Sequence, residues 1–67
     1  MLAVRKAEVL ARNFYRLCRD NPGLGVRVAG EEWDGLSDAE LAEAISLLFA
    51  NPRLRYNSAA NTWEYKS

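Results

Sequence analysis

The sequence predicts a small α+β domain in which helices come first and a β-hairpin closes the chain. Three observations predict it. Apolar residues between Val4 and Cys18 recur at three- and four-residue steps. Ser37-Asp38-Ala39-Glu40 has the form of a helix start. The closing stretch LRYNSAANTWEYK alternates apolar and polar residues on both sides of a small polar turn. The first two patterns have the period of a helix and the third that of a strand.

The first helix is expected from about Val4 to Asp20. Val4, Ala7, Leu10, Ala11, Phe14, Leu17 and Cys18 form one stripe, and Arg5, Arg12, Arg16 and Arg19 fall off it. Tyr15 stands at its edge. Asn21-Pro22-Gly23 ends the helix, because proline restricts the residue before it and glycine permits the reversal. Leu24 to Val28 is β-prone, with Val26 and Val28 on one side, and is expected to pair with the hairpin as a third strand. Ala29 to Gly35 reads as a short helix with Trp33 turned inward. Ser37 and Glu40 then make a capping box, and Leu36 and Leu41 are placed to form a hydrophobic staple around it. Leu41, Ile45, Leu48 and Phe49 are expected to be the buried face of the helix that follows, which Asn51-Pro52 closes. In the hairpin, Leu54, Tyr56, Trp63 and Tyr65 share one face, and Ser58-Ala59-Ala60-Asn61 makes the turn. An isolated hairpin is marginal in water, so that face is expected to pack on the helices. Helix, short strand, short helix, helix, hairpin is the winged-helix order, expected as one domain over residues 1–67.

The chain has 67 residues, enough for one small core. Its hydrophobic content of 49% and charged content of 27% suit a globular domain and not a disordered tail. Cys18 is the sole cysteine, so no internal disulfide can form. Small secreted domains usually depend on such staples, and an intracellular compartment is expected. No apolar run approaches the roughly 20 residues that span a bilayer.

Net charge is zero, but the charges fall in blocks. Residues 1–28 carry Arg5, Lys6, Arg12, Arg16, Arg19 and Arg27 against Glu8 and Asp20. Residues 29–52 carry Glu31, Glu32, Asp34, Asp38, Glu40 and Glu43 and no cation. Arg53, Arg55 and Lys66 follow, against Glu64. Such blocks are partner surfaces or solvated faces.

The stretch AISLLFANPRLRYNSAANTWEYKS resembles the core domain of the beta subunit of general transcription factor IIE. Asn51, Pro52, Arg53, Leu54, Trp63, Tyr65 and Lys66 carry the resemblance, over about the last third of the chain. Ala50 stands where that family has an asparagine, and SAAN replaces its Asp-Gly-Lys-type turn. The resemblance implies a winged helix in a transcription assembly, in the nucleus, acting through a protein partner, duplex DNA or both.

Two binding modes follow from the residues themselves. A winged helix usually lays its last helix in the major groove. Here that helix carries Asp38, Glu40 and Glu43, which phosphates repel, and lacks Arg, Asn and Gln, the usual base readers. Duplex contact therefore falls to the hairpin and its neighbour, Arg27, Arg53, Arg55, Asn57, Asn61 and Lys66, together with the basic first helix. The cations among them, Arg27, Arg53, Arg55 and Lys66, also suit the bland role of guarding a strand edge. Protein docking falls to the acidic segment, Glu31, Glu32, Trp33, Asp38, Glu40 and Glu43, opposite a basic first helix. Asp38 and Glu40 also serve the helix dipole, as do Arg16 and Arg19 at the end of the first helix. Trp33 is a core anchor if buried and an interface anchor if exposed, with the core expected in so short a chain. Tyr56, Trp63 and Tyr65 can stack bases, but an alternating strand facing helices is expected to give them to the core.

The chain has no His, Cys18 sits on an apolar stripe, and there is no phosphate-binding glycine loop or calcium-loop spacing. No enzymatic activity, cofactor, metal, membrane or small-molecule substrate is expected.

Overall fold

The computed structural model describes residues 2–66, with the side chains of residues 2–4 outside the description, so Val4 as the head of the first stripe lies beyond it. Three helices, α1 (Leu2–Asp20), α2 (Glu31–Asp34) and α3 (Asp38–Ala50), are followed by an antiparallel hairpin of β1 (Leu54–Asn57) and β2 (Thr62–Tyr65). The fold is α+β, as expected, and its order is compatible with a small winged-helix layout. α1 begins two residues before the expected Val4. At 1.5 Å per residue its 19 residues run about 28 Å and set the 33 Å long axis.

α1 ends where Asn21-Pro22-Gly23 was expected to end it. The Asn21 amide nitrogen donates to the Leu17 carbonyl at 2.8 Å, filling one of the acceptors a helix end leaves open. Gly23 then turns the chain at φ 85°, a conformation without penalty for glycine. α3 starts on the full capping box. Ser37 Oγ accepts from the Glu40 N–H at 3.2 Å, and Glu40 Oε1 accepts from the Ser37 N–H at 2.7 Å. At the other end Asn51 is extended, φ −80° and ψ 115°, as the residue before a proline prefers.

α1 packs on α3. The core holds Ala7, Leu10, Ala11, Phe14 and Cys18 from α1, Trp33 from α2, Ala44 and Leu48 from α3, and Leu54 and Trp63 from the hairpin. The buried face of α3 differs from the expected one. Leu48 is buried, but Leu41 is 38% and Phe49 61% exposed, Ile45 is half-buried, and Ala44 takes the centre. Ala7 and Ala11 of α1 are buried as well, and small residues on packed helices let the axes approach closely. The face centred on Ala44 and Leu48 does so, while one centred on Leu41 and Phe49 would hold the helices apart. The staple residue Leu41 is exposed for the same reason. Leu17, expected on the α1 stripe, is 48% exposed.

The hairpin register pairs Leu54 with Tyr65 and Tyr56 with Trp63, so the four inward residues share one face as expected. Asn57 Oδ1 accepts from the N–H groups of Ala59 and Ala60 at 3.1 and 3.3 Å, and Asn61 closes the turn at φ 55°. The Val26–Val28 segment meets β2 through a single bridge, and the sheet has two strands, not three. Val26 and Trp63 exchange both backbone hydrogen bonds, at 2.9 and 2.7 Å. Continued antiparallel, that register would set Val28 opposite Asn61, where β2 has already turned away.

The cap makes a checkable statement about acid stability. Ser37→Ala is expected to cost about 1 kcal/mol in urea unfolding. The Glu40 carboxyl is held below the usual range, first by the Ser37 backbone N–H, with the Ser37 side chain and the Lys6 charge adding to it against some desolvation. A carboxylate lowered in the folded state stabilises fully above its ordinary value, about 4.3, and that stabilisation is lost as pH falls through the lowered one. Glu40→Gln should therefore flatten the acid end of the stability–pH curve. An unchanged curve would detach Glu40 from the cap.

Candidate functional site

Three surfaces bear on function. The first is the outer face of the hairpin. Arg55 lies opposite Glu64 and Asn57 opposite Thr62, while Lys66 donates its N–H to the Arg53 carbonyl at 2.7 Å and adds one further rung. Arg53, Arg55, Lys66 and Arg27 are all exposed. Arg27 follows the bridge residue Val26 and so stands beside the Thr62 end of the sheet. The structure thus brings Arg53, Arg55 and Lys66 to the outer side of the hairpin, with Glu64 among them, whereas Arg27 lines a groove beside Leu10, Phe14, Glu32 and Trp33. Among the described residues the one ion pair is Arg19–Asp20, at 3.6 Å, so none of the four is neutralised by a salt bridge there. The two asparagines play a different part. Asn57 Oδ1 is committed to the turn, and Asn61 Oδ1 accepts from the Tyr56 hydroxyl at 2.8 Å. Both shape the tip, and only their amide nitrogens are left to meet a ligand.

The second surface is the acidic segment, which the structure divides. Glu31, Glu32 and Asp38 are exposed, whereas Glu40 and Glu43 are half-buried. Glu40 is spent on the cap. Trp33 does not belong to a docking face: it is 9% exposed, with its ring edge-on to Phe14 at 6.0 Å between centroids. In a short chain an aromatic of that size goes to the core, and here it roots α2 on α1. The acidic helix face expected from sequence is therefore narrower than its carboxylates suggest.

The third surface was missed by sequence reasoning, as the consequence of the altered α3 face. Leu41, Ile45 and Phe49 lie four residues apart and form one row along α3. Phe49 continues that row into the hairpin. Its ring meets Tyr56 at 5.4 Å and Trp63 at 4.8 Å between centroids, in edge-on geometry, yet the residue stays 61% exposed. The rest of the outer side of α3 is Ala39, Ala42, Ser46 and Ala50, and α3 carries no Lys or Arg. The signal lay in the sequence: Leu41, Ala44, Ile45, Leu47, Leu48 and Phe49 span too much of a helix for all to face one neighbour.

The remaining aromatic and thiol groups are structural. Tyr15 and Tyr65 pack at 6.0 Å, with the Arg19 guanidinium 5.9 Å from the Tyr15 ring centre. Cys18 is fully buried with its sulfur 4.0 Å from the Trp63 carbonyl oxygen, and burial pushes its thiol pKa up, away from the thiolate that chemistry needs. Among the described residues no His, Cys, Asp and Glu side chains gather into a metal-binding group, and no helix is long and apolar enough to cross a membrane.

Set against known proteins, the chain matches no family model, no curated protein and no solved structure.

Proposed function

We propose that this domain is a protein-docking module of a transcription assembly in the nucleus, without enzymatic activity, and that it binds its protein partner through the row Leu41, Ile45 and Phe49 where α3 meets the hairpin. The exposure of Phe49 carries the reading. A ring already in contact with two aromatics, yet 61% open to water, is an anchor waiting for a pocket. It stands on the helix that a DNA-reading winged helix would insert in the major groove, and this helix offers no cation or base-reading amide. Its exposed Asp38 adds repulsion toward phosphate. The resemblance of the last third of the chain to the beta subunit of general transcription factor IIE supports the assembly, and the partner is accordingly one of its proteins. Glu31, Glu32 and Asp38 steer that partner and add little to affinity.

A second reading rests on Arg53, Arg55 and Lys66 on the outer side of the hairpin, with Arg27 on the neighbouring segment and the basic first helix beside them. These cations can hold duplex phosphates loosely and in a salt-sensitive way, as an auxiliary contact or as the main one. The two readings separate on two variants. Phe49→Ala is expected to weaken capture of transcription proteins by the immobilised domain by more than about 30-fold, the effect of losing an interface anchor. Arg53→Ala with Arg55→Ala should leave that capture within a few-fold. An amide NMR titration with a short duplex should give, at most, shifts at Arg53, Arg55 and Lys66 that vanish at physiological salt. Duplex binding that survives physiological salt and depends on the two arginines, with capture indifferent to Phe49, would make the wing the functional site instead.

A further inference from the structure

α1 and α2 enclose a groove in two adjoining parts, of about 490 and 190 Å³, that share Leu10 and Glu32. Arg5 and Lys6 stand on its α1 wall, and Glu31 and Glu32 on its α2 wall. Opposite charges thus face each other across one groove without closing on each other: Arg19–Asp20 is the one ion pair among the described residues. Along the α1 wall Val9 is 44% and Leu17 48% exposed, so the groove is edged by apolar surface that the fold leaves in water.

We propose that this groove is the face through which two copies of the chain associate about a two-fold axis. The charge pattern selects the occupant. A two-fold interface is made of one patch meeting itself, so each group must find its complement in the same patch. Here it does: rotation sets the Arg5 and Lys6 wall of one copy against the Glu31 and Glu32 wall of the other, and brings the Val9 surfaces together. Two cations match two carboxylates in the larger part of the groove, and Arg27 stands in the smaller part. The chain as a whole is neutral, so no long-range repulsion keeps copies apart. Size allows it. A standard interface takes about 800 Å² from each partner, roughly a sixth of the 4721 Å² surface of this domain. From Arg5 to Leu17 the α1 wall runs about 18 Å at 1.5 Å per residue. Leu41, Ile45 and Phe49 do not line the groove, so one dimer can hold two partner segments.

Sedimentation of the intact chain from about 1 μM to 1 mM tests the assignment. The wild type is expected to dimerise across that range, and less so in high salt, since the pairs at the rim are screened. Glu32→Lys sets cations against cations and should weaken self-association at least tenfold. Arg5→Glu should do the same from the other wall; Arg5 is preferred over Lys6, whose charge also acts on Glu40 of the α3 cap. The deciding step mixes the two variants, each first shown to be folded by circular dichroism. Among these four positions the Glu32→Lys variant then carries a net positive charge and the Arg5→Glu variant a net negative one, the new lysine of the first can meet the new glutamate of the second, and together they should form a heterodimer near wild-type strength. A wild type that stays monomeric at 1 mM overturns the proposal. So does a mixture that fails to associate, or a dimer that ignores both charge reversals and dissolves on Phe49→Ala.

Discussion

Trp63→Ala is expected to leave the domain unfolded or nearly so at room temperature. Removing a buried tryptophan costs about 3–5 kcal/mol. A domain of 67 residues has roughly 3–10 kcal/mol in all, at 0.05–0.15 kcal/mol per residue. Trp63 is 3% exposed and touches each layer of the structure. Its backbone makes the bridge to the Val26 segment, its carbonyl sits over Cys18 of α1, and its ring meets Phe49 of α3 and Tyr56 of β1, both at 4.8 Å. Urea unfolding followed by far-ultraviolet circular dichroism reads the loss. Trp63→Phe, which keeps a ring in place, should lose markedly less. A midpoint for the alanine variant within about 0.5 M of wild type, under about 1 kcal/mol for a small domain, would mean that the hairpin does not close this core.

Leu48→Ala is expected to lose about 2–5 kcal/mol, because the residue is 1% exposed where α3 meets α1 and the cavity left behind cannot fill with water. Leu41→Ala, one row away on the same helix, should lose less than about 1 kcal/mol, since its side chain is already 38% in water. The same chemical change at two leucines thus measures which way α3 faces. Equal losses at both positions would restore the face that periodicity alone suggests, and would remove the exposed row on which partner docking rests.

The contrast shows what can and cannot be read from the chain. Local chemistry is legible. Ser37 and Glu40 announce a cap because both partners of each hydrogen bond lie within one turn. Asn21-Pro22 and Asn51-Pro52 end helices because the restriction acts on the neighbouring residue. The alternation of Leu54, Tyr56, Trp63 and Tyr65 fixes which side of the hairpin is wet, and so places Arg53, Arg55 and Lys66 on the outside correctly. Tertiary choices are not legible in the same way. α3 offers more apolar residues than one neighbour can cover, and the selection among them was made by Ala7 and Ala11, some thirty residues earlier, whose small size admits Ala44 and excludes Leu41. The third strand failed for a similar reason. Val26 and Val28 have the right pattern, but the length of β2 is set by the turn at Asn61, so only one of them finds a partner. The candidate site divides along the same line. Exposed cations declare themselves, whereas the half-burial of Glu40 and Glu43 and the openness of Phe49 depend on where α3 rolls.

The single bridge between Val26 and Trp63 has a consequence for how the chain finds this structure. It joins segments far apart in sequence, and beside it a methyl at Gly25 would come to 3.0 Å from Thr62 Oγ1, so any side chain there would have to push the Thr62 side chain aside. Closing so long a loop is the slow, entropically opposed step, while the helices and the hairpin turn form from neighbours. The Val26 and Trp63 amides are expected to gain protection from hydrogen exchange only when that loop shuts, so exchange during refolding times its closure.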